Sequence, residues 1–391
     1  MGLKVSDAQI VDALVIGAGP AGLMAAEELL RAGRKVVICE AKPSPARKFL
    51  MAGKSGLNVT KDEDIDNFAA AYDCPDWLLP MLRDFGPREV IAWCRGLGQD
   101  VFTGTTGRVF PKTMKGSPLL RAWLARLGAA GAELRTGWRW TGFDGAHMTF
   151  ATAKGPQTIA ANVTVLALGG ASWARLGSDG AWAEILAERG VPLTPFGPAN
   201  MGFQVAWSTH MAKHFGAPIK GAVLRAGDQQ ARGEFVITAA GLEGGGIYTV
   251  SRALRMGAPL VLDLMPDVPT QELQAKLDAQ RPGESTVNRL RKLGLGAATI
   301  ALIMEFGRGQ PLAKAVKSLE VPLLGPNPLD QAISVAGGIA RVGLTDGLEL
   351  KTLPGVFACG EMLDWEAPTG GYLLTAAWST GRWAGRAAAQ N

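Results

Sequence analysis

The stretch 11–41, VDALVIGAGPAGLMAAEELLRAGRKVVICEA, constrains the fold more than any other part of this 391-residue chain. It opens on a short unbroken apolar run, ALVIG, the pattern of a strand buried on both faces of a parallel sheet. Gly17, Gly19 and Gly22 follow with the spacing G-x-G-x-x-G. A helical pattern then runs through Leu23, Ala26, Leu29 and Leu30 and closes at Gly33, after which a second apolar strand, KVVIC, ends in Glu40. Each part has a task at a nucleotide. Gly17 permits the tight turn, Gly19 lets backbone approach a pyrophosphate, and Gly22 lets helix and sheet pack closely. The helix begins at Pro20, and its next residues, from Ala21 on, offer unpaired N–H groups to phosphate oxygens. Glu40 can accept from a ribose diol, with Ala41 and Lys42 just beyond it. An acid there disfavours a 2′-phosphate, so NADP is not expected at this site, but NAD and FAD are not separated by it.

The other end of the chain bears on that choice. In PGVFACGEMLDWEAPTGGYLLTAAWSTGRWAG (354–385), a strand runs into Gly360-Glu361, and Gly370-Gly371 opens a helix at Tyr372-Leu373. This resembles the closing motif of the large two-dinucleotide-fold flavoproteins. The resemblance implies that the Gly-acid pair meets the ribityl-pyrophosphate and that the following helix aims its N-terminus at the flavin's N1–C2 edge. In the same proteins a strand ending in a glycine pair crosses beneath FAD; here NVTVLALGGAS (162–172) supplies it, with Ala167, Gly169 and Gly170. Before it, ELRTGWRWTGFD (133–144) reads as strand, turn and strand, with backbone near Trp140 on the adenine side. The order of these segments along one chain favours FAD.

A Walker-like phrase, FLMAGKSGLNVT, covers residues 49–60. Walker A requires glycine five positions before Gly53, where this chain has Lys48. It also needs the first β-α turn, which Gly17-Ala18-Gly19 already occupies. The loop is expected instead to wrap the FAD pyrophosphate and ribityl, through Lys48, Ala52, Gly53, Lys54 and Asn58.

With ARKFLMAGKSGLNVT, GRVFPKTMKGSPLL, LALGGASWARLGSDG, GEFVITAAGLEGGGI, VAGGIA and GVFACGEMLDWEAPTGGYLL considered together, the chain resembles, over nearly its whole length, the BaiN/RdsA-like bacterial flavoproteins. This group includes aminoacetone-oxidase-like enzymes, bile-acid-reducing relatives and a ribosomal-RNA dihydrouridine synthase. Two departures mark a divergent subgroup. Gly56 and Leu57 stand where the family has Arg and Cys, and Leu373 stands where it has Asn. The resemblance implies an α/β fold: a two-dinucleotide-type FAD-binding Rossmann domain, about 1–190 and 335–391, with an insert at 191–334. The insert is bounded by the Pro-rich VPLTPFGP and VPLLGPNP. Strand-like segments predict a β-barrel (about 191–269 and 319–334), and helical ones a small subdomain (about 270–318).

Four cysteines without C-x-x-C spacing suit a cytoplasmic chain and argue against a dithiol centre. Asp7 and Asp12 precede the first apolar run, so no signal peptide is expected. The uncharged stretch 190–212 contains three prolines and is not expected to cross a membrane. His210 and His214 are four apart, too few for a metal site, and no metal is expected. No catalytic residue is assigned. Arg108 and Lys115, like Lys48 and Lys54, are candidates to face phosphates or an anionic substrate. Trp365 is a candidate to face an apolar one.

The expected function is FAD-dependent hydride transfer between flavin N5 and an unidentified small-molecule substrate. No second G-x-G-x-x-G is present, so NADH or NADPH would serve as a transient reductant. RNA modification is the alternative, with structured RNA as partner: between 281 and 317 lie seven cations (Arg281, Arg289, Arg291, Lys292, Arg308, Lys314, Lys317) against Glu284 and Glu305. A flavin-dependent amine oxidase is the second alternative.

Overall fold

The computed structural model describes residues 8–54 and 56–391; residues 1–7, including Asp7 ahead of the first apolar run, and Ser55 of the Walker-like phrase lie outside them. The chain divides into two units, residues through Gly197 with Ser334–Asn391, and Pro198–Ile333.

In the first unit, β1 (Gln9–Ile16) leads through the glycine turn into α1 (Pro20–Arg31), and β2 (Val36–Glu40) returns beside β1. Strand order is Glu133–Thr136, β2, β1, Gly155–Leu166, His147–Thr152, Arg139–Asp144, with Val356–Ala358 also paired on Gly155–Leu166. The first four and Val356–Ala358 run parallel, and the other two are antiparallel. The sequence order reverses beside β1, which is where an open α/β sheet leaves a crevice at its strand ends. The 133–144 segment does hold two strands, but they do not pair with each other: Glu133–Thr136 pairs with β2, and Arg139–Asp144 pairs with His147–Thr152.

α1 is buried along Ala21–Leu29. Its apolar side covers the sheet, and its other side meets the C-terminal helix Tyr372–Ala389, where small residues let the backbones touch. A Cβ at Gly381 would lie 2.3 Å from the Ala21 carbonyl oxygen, and one at Gly385 would lie 2.6 Å from that of Ala25. Glu27 and Glu28, read in the sequence only as part of a helical pattern, are buried here and fully used. Glu27 accepts from the indole N–H groups of Trp123 (2.7 Å) and Trp93 (3.3 Å) and pairs with Arg31 (2.6 Å) and Arg126 (3.1 Å). Glu28 pairs with Arg31 (2.7 Å), Arg382 (2.9 Å) and Arg386 (2.8 Å). Burying two carboxylates is tolerable only when their lone pairs are met in this way.

The second unit has a seven-stranded sheet in the order Leu319–Val321, Leu260–Asp263, Pro218–Ala226, Gln229–Ile237, Gly241–Glu243, Phe203–Gln204, Gly325–Pro326. Phe203, Leu224, Phe235, Leu242 and Leu262 are in its core, and the helices Thr270–Asp278, Thr286–Lys292, Ala297–Phe306 and Leu312–Lys317 complete it. Among the described residues no helix is long and apolar enough to cross a membrane.

Candidate functional site

The glycine turn separates residues that must be small for the fold from one that is small with nothing against it. Gly17 has φ +103°, and a Cβ there would sit 2.2 Å from the carbonyl oxygen of Ala167. A Cβ at Gly22 would lie 1.9 Å from the Gly17 oxygen. Gly19, the N-cap of α1, has φ −83° and no heavy atom within 4 Å of a built Cβ. No side chain caps this helix, and Pro20 begins it, so its first N–H groups are left for a ligand or water. Ala21 packs against Gly360, where a Cβ would approach the Ala21 Cβ to 2.7 Å.

Glu40 has a role the sequence did not disclose. Its carboxylate accepts from the Ala18 N–H (3.0 Å) and the Lys42 N–H (2.8 Å), tying the glycine turn to the residues after β2. Burial pushes its carboxyl above the ordinary glutamate range, with the two backbone N–H groups and the Lys42 charge opposing. Ala41 is half-buried, and the Lys42 aliphatic chain lies against Gly177.

Glu361 is the second junction. It pairs with Lys48 (2.8 Å) and accepts from the N–H groups of Gly170 (3.3 Å) and Val335 (3.2 Å). Lys48 also donates to Ser172 Oγ (2.9 Å), so its charge is already compensated inside the protein. Gly360 donates to Thr380 Oγ1 (3.0 Å), and its carbonyl accepts from the Trp365 indole (3.0 Å). Trp365 is 3 % exposed and packs edge-on to Tyr72. It is therefore core and not a substrate wall: an aromatic next to a motif carries no burial signal of its own. Gly169 accepts from the Trp182 indole (2.8 Å) and faces Ser178.

At the start of the C-terminal helix, Gly371 caps with φ +107°, and a Cβ there would lie 2.3 Å from the Thr60 backbone. Gly370 borders Arg108, whose Nε is 3.6 Å from a Cβ built there. The Tyr372 hydroxyl donates to Glu63 (2.6 Å) and accepts from Lys61 (2.9 Å), and its ring packs on Phe68. Burial, with Glu63 adding to it, pushes this phenol up to about 12. Leu373 is half-buried. Lys61, Glu63 and Tyr72 were not legible as partners of this helix, because nearly the whole chain separates them from it.

In the loop after Arg47–Ala52, Ala52 and Lys54 are exposed, while Gly53 is buried against the Gly116 backbone (3.0 Å from a built Cβ). Asn58 Oδ1, Trp140 Nε1 and Ser178 Oγ are buried polar atoms with no partner among the described residues. Such atoms are costly unless something completes them.

Other chemistries find little support. Burial pushes all four thiols upward. His210 and His214 occupy a short 3₁₀ turn, Thr209–His214, in which residues three apart eclipse, so the pair shares no face. No group of three or more His, Cys, Asp or Glu among the described residues is placed to hold a metal ion.

The family model described as the HI0933-like protein Rossmann domain matches residues 11–387. The chain is 27 % identical to the 3-dehydro-bile acid delta(4,6)-reductase of Clostridium scindens, over 96 % of this chain and 98 % of that one. It is 23 % identical to the ribosomal RNA dihydrouridine synthase of Escherichia coli K12, over 94 % and 96 %. Among solved structures, the 3-ketosteroid-delta4-(5alpha)-dehydrogenase of Rhodococcus jostii RHA1 shares the fold, with a TM-score of 0.57, 16 % identity and 99 % of each chain covered.

Proposed function

The chain belongs to the HI0933-like Rossmann family and is an FAD-dependent oxidoreductase, and from that premise we propose that its glycine turn, its two junction carboxylates and the start of its C-terminal helix hold FAD for hydride exchange with a small organic substrate. The observation that carries this reading is the open, uncapped N-terminus of α1 at Gly19, between two glycines that the fold itself requires.

Gly17, Gly19, Pro20, Ala21 and Gly22 would hold the pyrophosphate. Glu40, through its remaining lone pairs, would take the adenosine ribose, with Ala41, Lys42 and Trp140 on the adenine side. Lys48, Ala52, Gly53, Lys54, Asn58, Ala167, Gly169, Gly360 and Glu361 would line the pyrophosphate and ribityl. Gly370, Gly371, Tyr372 and Leu373 would border the flavin's N1–C2 edge, where the helix N-terminus favours negative charge. Bound FAD supplies a two-electron hydride centre at N5. The protein supplies position and exclusion of water. Because Tyr372 already donates to Glu63 and its phenol is raised, it stays neutral at working pH and stiffens the Gly370-Gly371 turn. We extend the same reading to the inserted unit as a small barrel bearing a helical subdomain.

The test is anaerobic mixing of the holoprotein with NADH and with NADPH. Bleaching of the flavin's visible absorbance with either donor supports a transient nicotinamide reductant. A flavin that neither donor reduces, and that dithionite does reduce, removes nicotinamide from the scheme.

A pH dependence follows from Glu40. Its folded value is raised, so its contribution to apoprotein stability is full below the unfolded value and is lost as pH rises through the folded one. Ribose hydroxyls donating to the carboxylate favour the charged form, so FAD and the proton compete. FAD affinity is therefore expected to weaken as pH falls toward the ordinary glutamate range, and Glu40→Gln is expected to flatten that slope.

The RNA reading retains one supporting observation. Lys317 is withdrawn into a pair with Asp263 (2.8 Å), Arg289 bonds to Gln280 and the Leu277 carbonyl, and Lys292 pairs with Glu284. Arg281, Arg291, Arg308 and Lys314 remain exposed without an acidic partner among the described residues. Dihydrouridine unchanged in ribosomal RNA digests of a deletion strain would remove this reading.

A further inference from the structure

The strands Thr60–Lys61, Val101–Thr103 and Arg108–Pro111 form a small antiparallel sheet with one buried face and one open face. Thr60 and Val109 pair on the buried face, both at 0 % exposure, and Thr60 Oγ1 bonds Thr375 of the C-terminal helix (2.9 Å). Lys61 lies opposite Arg108, and Phe102 opposite Phe110. Opposed residues share a face, and Arg108 and Phe110 are two apart, so all four lie on the open side. The two phenyl rings stack at 5.8 Å between centroids, with Phe102 42 % exposed. Met114, held at φ +59°, continues this surface over Gly56, where a built Cβ would come within 2.8 Å of its methyl carbon.

Cations surround this shelf. Lys61 is compensated by Glu63 (2.7 Å) and Lys112 by Asp100 (3.0 Å), while Asp62 accepts from Thr103. Arg108, Lys54 and Lys115 are exposed and have no acidic partner among the described residues. Lys115 follows Met114 directly. The loop carrying Lys54 is joined to the same segment through the Leu57 N–H, which donates to the Met114 carbonyl (2.9 Å). Arg108 borders Gly370 at the start of the helix assigned above to the flavin.

We propose that this shelf binds a small planar aromatic carboxylate. Stacked phenyl faces accept a flat apolar body, and an unpaired guanidinium offers a carboxylate a two-point charge-assisted contact that a neutral group cannot use. This binding does not depend on the flavin reading.

Titration calorimetry of the holoprotein with 2-naphthoate and with its neutral counterpart 2-naphthalenemethanol tests it, with FAD content read from visible absorbance in every sample. Binding of the acid at least about tenfold tighter than the alcohol is expected. Arg108→Met is expected to erase that preference, Phe102→Ser to weaken both probes, and Lys154→Met, in the exposed turn joining the paired Thr152 and Gly155 of another sheet, to behave as wild type. Equal affinity for the two probes overturns the proposal. So does unaltered binding in Arg108→Met and Phe102→Ser, or capture of a single-stranded oligouridylate with no naphthoate binding. Protein that holds no FAD yet discriminates between the probes overturns the flavin reading and leaves the shelf intact.

Discussion

Gly17→Ala is expected to yield protein that neither holds FAD nor folds stably. Two costs coincide at this position. A residue with a side chain is strained at φ +103°, by roughly 1–3 kcal/mol. The new methyl would also stand 2.2 Å from the Ala167 carbonyl oxygen, backbone fixed just beyond a strand that pairs with β1. The sheet cannot give way without separating those strands, so a loss of about 4 kcal/mol or more is expected. Urea unfolding of the apoprotein, followed by far-UV circular dichroism, measures it. A midpoint equal to that of wild type would show that the turn is looser than described.

Glu27→Ala carries the second large effect. Removing the carboxylate strands the indole N–H groups of Trp123 and Trp93, the first on a side chain only 1 % exposed. Each such buried donor costs about 1–3 kcal/mol. Arg31 and Arg126 are half-exposed and can turn to water, so they add little. A total of about 3–5 kcal/mol is expected. Glu27→Gln keeps one acceptor oxygen and should lose much less. Both are read from the same urea transition, and tryptophan emission reports the indole environment directly. Equal midpoints for Glu27→Ala and wild type would mean that water replaces the carboxylate at no cost.

These two sites also show where sequence reasoning reached and where it stopped. The β-α-β unit was legible because its signals are local: an apolar run, three glycines at fixed spacing, a helical period and an acid. The closing Gly360-Glu361 and Gly370-Gly371 segments were legible by resemblance, as was the family itself. Glu27 was not, since its indole partners lie 66 and 96 residues away and the segment AAEELLR reads as an ordinary helix face. The sheet bearing Phe102 and Phe110 is not legible in the sequence, because strands of two to four residues are too short to show alternation. Lys48 pairs with Glu361, 313 residues on, a partner that no local signal in the sequence announces. Trp365 stands beside a motif in sequence, whereas its place is fixed by Gly360 and Tyr72 in space.

Gly19→Val tests the central claim most directly, because it separates holding FAD from holding the fold. Its φ of −83° suits any residue, and no heavy atom lies within 4 Å of a built Cβ. Removing a glycine also restricts the unfolded chain, which favours folding by up to about 1 kcal/mol. The apoprotein should therefore unfold at the wild-type urea concentration or slightly above it. The added branches would occupy the space where the pyrophosphate must meet the start of α1. The measurement is the molar ratio of FAD to protein after reconstitution and gel filtration, alongside the apoprotein midpoint. A ratio near zero with an unchanged midpoint is the predicted result. A wild-type ratio with an unchanged midpoint would contradict the assignment of this turn to FAD.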